Sequence, residues 1–194
     1  GAVQEAAPAE VAPAVENSAP EEERAAAAAA EAGEAAALVV NAHAPAAMAR
    51  ACAELGIPFL HISTDYVFDG TASVPYAPDA PRNPQSAYGR TKAEGEAAVL
   101  EAFPSAMVLR PSILFGPEDS FFNFFALMAR FGPILPIVGG NTRFQPVYVD
   151  DVAAAAVKGV NGEASGVYEL GGPEVETFKE LMQRMLKVTY RSRL

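Results

Sequence analysis

Thiol and imidazole are almost absent from this chain: one cysteine and two histidines in 194 residues. A lone Cys52 cannot form an intramolecular disulfide, and it reads as a small apolar packing residue of a helix. His43 and His61 stand far apart, without cysteine or carboxylate partners at ligand spacing, so no metal site is expected. His61 lies inside an apolar run and is expected to be a packed, hydrogen-bonded imidazole. Positive charge is also scarce. The net charge is −10 with no basic cluster, which argues against a nucleic-acid partner. The most apolar stretch, 121–138, is broken by Asn123, Arg130, Pro133 and Pro136, so it is not a membrane span. No basic segment followed by an apolar core opens the chain, so no secretory signal is expected and a cytoplasmic location is the default. Glycine is rare early. Only Gly1, Gly33 and Gly56 occur in the first 60 residues, so no glycine-rich turn is present there to cradle a pyrophosphate.

The acidic charge is concentrated at the front, where residues 1–36 carry eight Glu against one Arg, with sixteen Ala and three Pro. Such a composition buries too little apolar surface to offset the entropy of ordering. A leader is therefore expected at 1–36, disordered at first, with an exposed acidic helix over Glu21–Ala37. Over the whole chain, 51% apolar and 20% charged residues suit one globular α/β core. Short apolar runs predict strands at Ala37–Asn41, Pro58–Ser63, Ala106–Leu109 and Val167–Leu170. Between them, helices are expected at Pro45–Leu55, with Gly56 past its end, at Ala87–Phe103, and at Phe121–Phe131 behind an Asp119-Ser120 cap. Asp150 reads as the N-cap of a further helix, and Thr177–Val188 closes the chain. Alternation of this kind predicts a parallel sheet of Ala37–Asn41, Pro58–Ser63 and Ala106–Leu109 flanked by helices.

The chemistry is concentrated between Ile57 and Glu96. Thr64 follows a buried strand, with Ser63 before it, and in open α/β sheets that end of a strand is where ligands bind. Tyr88 and Lys92 stand four residues apart on one predicted helix face. A phenol with a pKa of about 10 is a poor acid or base at neutral pH, and a neighbouring ammonium stabilises its phenolate. Tyr88 then becomes a usable general acid, and a hydroxyl from Thr64 or Ser63 can hold a substrate carbonyl oxygen against it. The Tyr-x-x-x-Lys pair alone is weak, since so short a pattern arises by chance. Its specificity comes from the strand-end STDYVFDG and the proline-rich loop between.

ISTDYVFDG followed by NPQSAYGRTKAEGE closely resembles the dTDP-4-dehydrorhamnose reductase family of the extended short-chain dehydrogenase/reductase superfamily. The resemblance implies a Rossmann-like domain at 37–115 with its N-terminal nucleotide-binding half truncated or missing, and a small substrate-type subdomain at 116–194. It implies NADP or NAD as cofactor and a nucleotide sugar or other ketone as substrate. Thr64, Tyr88 and Lys92 align with the family's catalytic residues, Lys92 also holding the nicotinamide ribose and Tyr66 lying near the sugar. Asn41 resembles a cofactor-lining residue that follows a central strand, with a polar turn residue as the equal alternative. The family's helix-borne structural asparagine has no evident counterpart here. Arg110-Pro-Ser-Ile-Leu-Phe-Gly-Pro117 resembles the superfamily's RPxxxFGP segment, which makes Ser112 and Ile113 cofactor neighbours and Arg110 structural.

Residues 104–186 are more similar to the nucleotide-binding accessory subunit of respiratory complex I and its bacterial relatives, which can hold NADPH without turnover. Three readings follow: a keto-group reductase, a non-catalytic NAD(P)-binding accessory protein on the inner-membrane respiratory complex, and an inactive Rossmann-like fragment. The Phe121–Phe131 helix is expected to be buried core, a lid, or a docking face for a protein partner.

Overall fold

The computed structural model describes residues 33–131 and 134–189. The expected leader falls mostly outside them, at 1–32. The described chain begins with helix α1 (Glu34–Leu38), which passes through a π-helical turn (Val39–His43) into α2 (Ala44–Leu55). The strand expected at Ala37–Asn41 is therefore helical. Two β-branched residues, Val39 and Val40, suggested a strand, but strong helix formers flank them on both sides and helix propagation is cooperative. Both valines are more than half exposed, so no sheet neighbour repays an extended conformation. As expected, α2 has Pro45 in its first turn and ends at Gly56 in the left-handed conformation, φ +67°.

The sheet is three-stranded and parallel, in the order β1 (Leu60–Ile62), β2 (Met107–Pro111), β6 (Gly166–Leu170). Its centre, β2, is buried at every residue, as a strand covered on both faces must be. From β1 the chain turns through a 3-10 segment (Asp65–Val67) and the proline-rich loop into α3 (Ala87–Ala102). Ser86 starts α3 by accepting the Gly89 amide on its hydroxyl at 3.1 Å.

Helix α3 packs closely on the α1–π–α2 rod because Gly95 has no side chain: a Cβ there would overlap the Asn41 carbonyl. We expect Gly95→Ala to destabilise the fold by about 1–3 kcal/mol, as overpacking typically does. Chemical denaturation reads this directly.

On either side of β6, the described residues from 112 to 165 and from 171 to 189 lie outside the main sheet. Strand β3 (Leu114–Phe115) pairs parallel with β5 (Val147–Tyr148), and β4 (Arg143–Phe144) pairs antiparallel with β7 (Glu176–Thr177). Three helices accompany them: α4 (Ser120–Phe131), α5 (Val149–Val160) and α6 (Phe178–Val188). Asp119 caps α4 as expected, its Oδ1 accepting the Phe122 amide at 2.6 Å. Asp150 does not cap α5. That helix starts one residue earlier, after Tyr148, and the Asp150 carboxylate instead takes the Tyr148 phenol as its hydrogen-bond partner. Thr177 and Glu180 form a reciprocal capping box on α6.

The inner face of α4 is core: Phe121 and Ala129 are buried with Leu135, Phe178, Met182 and Leu186. A separate small core joins Ala49, Val99 and Ala106 under α2 and α3. No helix among the described residues is long and apolar enough to cross a membrane.

Candidate active site

Strand β1 delivers the hydroxyls. Phe59 O accepts from Met107 N at 2.9 Å, and Ser63 N donates to Leu109 O at 2.7 Å, so odd-numbered residues pair with β2. Leu60 and Ile62 therefore turn their backbone groups to the opposite edge. On that edge Lys92 Nζ donates to Ile62 O at 2.5 Å, tying α3 to the end of β1. Burial lowers the pKa of Lys92, while the Glu96 carboxylate one turn further on opposes that shift.

Thr64 is buried at the strand end. Its Oγ1 donates to Asp65 Oδ1 and accepts from Tyr66 N, both at 3.3 Å. The rings of Tyr66 and Tyr88 meet edge-on, with centroids 6.2 Å apart and planes at 66°. Gly89 makes this approach possible, since a Cβ there would overlap the Tyr66 carbonyl. The structure thus gathers Ser63, Thr64, Tyr66, Tyr88 and Lys92 around one strand end and one helix face. Two shallow hollows, one lined by Leu135, Ile137, Gly140 and Lys179 and one by Asn123, Ala126, Leu127, Arg130 and Thr189, lie in the C-terminal part and include none of these groups.

Asn41 is not at a strand end. It sits on the π-helical turn, and its Nδ2 donates to Thr91 Oγ1 at 3.0 Å, which donates in turn to Tyr88 O at 3.0 Å. It is thus borne on the helical rod and tied to α3, rather than closing a strand.

Ser112 donates its hydroxyl to the Asp65 carboxylate, and its amide donates to Leu170 O at 2.8 Å. The side chain of Ile113 is buried in the C-terminal core, and its carbonyl accepts from Val147 N at 2.9 Å. Tyr148 packs on Phe115 at 5.5 Å.

His61 is buried as expected, but its Nε2 has no hydrogen-bond partner among the described residues, nor has Ser63 Oγ two residues on. Buried polar atoms are normally paired, and these two lie on the same face of β1.

Two buried carboxyl groups at the site went unread in the sequence. Asp65, between Thr64 and Tyr66, is pushed up to about 6 by burial, against hydrogen bonds from the Thr64 and Ser112 hydroxyls. Glu96 is fully buried and grips Arg110, itself 3% exposed, through two parallel bonds: Nε to Oε1 at 2.8 Å and Nη2 to Oε2 at 2.6 Å. The available signal was Arg110 itself, a cation at the end of an apolar strand that requires a buried carboxylate.

Asp65 and His61 make opposite contributions to pH dependence. The carboxyl of Asp65 is raised when folded, so its contribution to stability is present near pH 4 and lost as pH rises through about 6. Burial, and then the Lys92 ammonium, lower His61 to about 4, so its contribution is present above pH 6.5 and lost as pH falls through about 4. We expect the two to offset one another over pH 4–6.5. Asp65→Asn should unmask a loss of up to about 3 kcal/mol on acidification across that window, and His61→Gln the reverse slope. Urea unfolding at several pH values checks both signs.

The family described as RmlD substrate binding domain matches residues 5–192. The chain belongs to this family. One family thus spans both the 57–96 and the 104–186 stretches. The dTDP-4-keto-6-deoxy-D-glucose reductase of Streptomyces niveus is 41% identical over 140 residues, covering 71% of this chain and 48% of that protein. A mitochondrial NADH dehydrogenase [ubiquinone] 1 alpha subcomplex subunit 9 of Arabidopsis thaliana is 45% identical over 100 residues, 50% of this chain and 25% of that one. Among solved structures, a dTDP-4-dehydrorhamnose reductase of Clostridium acetobutylicum superposes with a TM-score of 0.80 at 26% identity, covering 92% of this chain and 61% of that chain. The chain spans about half the length or less of the curated relatives it matches. The parallel, helix-flanked, Rossmann-like sheet is the fold of this family.

Proposed function

We propose that this site carries out NAD(P)H-dependent reduction of a keto group, with a nucleotide sugar as the substrate class. The observation that carries the reading is the convergence of Thr64, Tyr88 and Lys92 at the C-terminal end of β1, with Lys92 bonded to the strand's last carbonyl. The reductases among the relatives, and a Bacillus anthracis dTDP-4-dehydrorhamnose reductase solved in complex with NADP, support it.

The residues present fit the nicotinamide end of such a cofactor. Two buried polar atoms, His61 Nε2 and Ser63 Oγ, have no hydrogen-bond partner among the described residues, and the Lys92 ammonium acts on the His61 ring, an arrangement suited to a polar ligand. Asn41, Ser63, Ser112 and the backbone at Ile113 would line that end. Bound reduced nicotinamide supplies the hydride. The Thr64 hydroxyl turns from Asp65 to donate to the substrate carbonyl oxygen. Tyr88 gives that oxygen its proton, Lys92 stabilises the phenolate left behind, and Tyr66 packs against the sugar. Residues 37–115 form the cofactor side and 116–194 the substrate side, with β6 returning to the main sheet. Such an enzyme works in the cytoplasm.

A second reading, a non-turning-over NAD(P)-binding accessory protein at the inner membrane, is favoured by the 45% identity to the plant respiratory subunit. In that reading Phe124, Leu127 and Phe131, an exposed stripe along α4, would meet the protein partner. NADPH consumption measured with a panel of dTDP-4-keto sugars separates the two. Turnover that follows the added keto sugar supports the reductase, whereas cofactor binding with no turnover across the panel supports the accessory protein.

A further inference from the structure

The mechanism leaves one elaborate feature unused, the buried charge cluster behind α3. Besides its two bonds to Glu96, Arg110 donates through Nη1 to Glu169 Oε1 on β6 at 2.7 Å and to Pro78 O in the proline-rich loop at 3.1 Å. Its guanidinium carbon lies 5.1 Å from the Phe68 ring centroid, and Phe68 stacks on Tyr76 at 4.2 Å with the planes 2° apart. From the loop, Arg82 Nη1 donates to Glu96 Oε2 at 3.1 Å and to Ala93 O at 2.9 Å. Asp69 holds the loop together, accepting from Thr71, Tyr76 and Asn83 side chains at 2.8, 2.7 and 3.1 Å. One guanidinium thus joins the catalytic helix, the central strand, β6 and the loop that runs from Tyr66 to Tyr88.

Stability alone does not account for this. Well-packed apolar residues often match or exceed a buried ion pair in stability, whereas a two-pronged arginine–carboxylate pair fixes orientation. Tyr88, Lys92 and Glu96 are spaced by four along α3 and share a face, so the grip on Glu96 sets the rotation of the helix about its axis. At a side-chain radius of about 6 Å, a rotation of about 10° moves a side-chain tip by about 1 Å. A displacement of that size can cost on the order of a hundredfold in rate.

We propose that Arg110 is a positioning residue: through Glu96, Glu169 and the loop it sets the rotation of α3, and so holds the Tyr88 phenol where it can reach a carbonyl bound at Thr64. The proposal rests on the reductase reading for its kinetic consequence only. The groups facing Tyr88 and Lys92 are Tyr66 from the 3-10 segment, His61 from β1 and Glu96 from α3 itself.

The test uses Arg110→Lys, which keeps the charge and loses the fork, and Arg82→Gln, which releases the half-exposed loop tie without unpairing Glu96. For each, kcat and KM with NADPH and a dTDP-4-keto sugar are measured beside the ultraviolet titration of the Tyr88 phenol, obtained by difference from the same protein carrying Tyr88→Phe. Expected are a fall in kcat of roughly ten- to a hundredfold, KM within about threefold, and a displaced Tyr88 titration, larger for Arg110→Lys than for Arg82→Gln. An unmoved Tyr88 titration in folded variants overturns the proposal, as does a loss of activity that merely tracks the folded fraction. Should Arg110→Lys fail to fold, Arg82→Gln and Glu169→Gln decide by the same two readouts. If the wild type turns over no keto sugar, the reductase reading fails, and the titration, which needs no substrate, still decides the positioning role.

Discussion

Tyr88→Phe is expected to lower keto-group reduction by on the order of 10²–10⁴-fold, the usual contribution of a positioned general acid, while leaving nicotinamide affinity almost unchanged. The substitution removes one oxygen and keeps the ring, so the edge contact with Tyr66 and the packing at Gly89 survive. Lys92→Ala is expected to behave differently. It removes the ammonium that stabilises the phenolate, the tie to Ile62 O and the candidate ribose contact together. A charged hydrogen bond is worth about 1.5–3 kcal/mol, so cofactor affinity should fall roughly ten- to a hundredfold along with turnover. Steady-state rates and a binding isotherm on the same preparations separate the two patterns. Equal loss of affinity in both variants would mean that the phenol binds cofactor rather than transferring a proton.

Removing one member of the buried pair should be as damaging to the fold as Tyr88→Phe is to the chemistry. Glu96 and Arg110 have side chains 0% and 4% exposed, and Glu96 accepts two of the four bonds that Arg110 makes. Glu96→Ala removes two of the four bonds to the guanidinium and leaves Glu169 as its one carboxylate, so a loss approaching the about 3–5 kcal/mol of a broken buried pair is expected. Glu169→Gln should cost much less, because the Glu169 side chain is 21% exposed and Glu96 still neutralises Arg110. Urea unfolding of the three proteins tests the order. A loss below about 1 kcal/mol for Glu96→Ala would mean that water reaches the guanidinium and that the cluster is not closed.

Much of this was legible in the sequence, for identifiable reasons. Tyr88 and Lys92 could be read because a helix places residues four apart on one face whatever surrounds it. The ends of α2 and α6 could be read because Pro45, Gly56 and Thr177 act locally on their own backbone. Failures occurred where tertiary context decided. Val39-Val40 resembles a strand until the helix formers on either side and the close seat against Gly95 are taken into account. Asp150 was read as a cap because carboxylates often are, whereas α5 begins at the residue before it. Residues 167–170 were legible as a strand, but not as the third strand of the main sheet, since pairing across more than fifty residues leaves no local trace. The Glu96–Arg110 cluster joins residues fourteen apart, and its members carried meaning singly only as a cation in an apolar strand.

The measurement that bears most directly on the account is a titration of the wild-type chain with NADPH and then NADH, followed by nicotinamide fluorescence, with Lys92→Ala and Tyr88→Phe in parallel. The account predicts saturable binding by the wild type, clearly weakened by Lys92→Ala and nearly untouched by Tyr88→Phe. No binding at millimolar cofactor, or binding indifferent to Lys92, would contradict it.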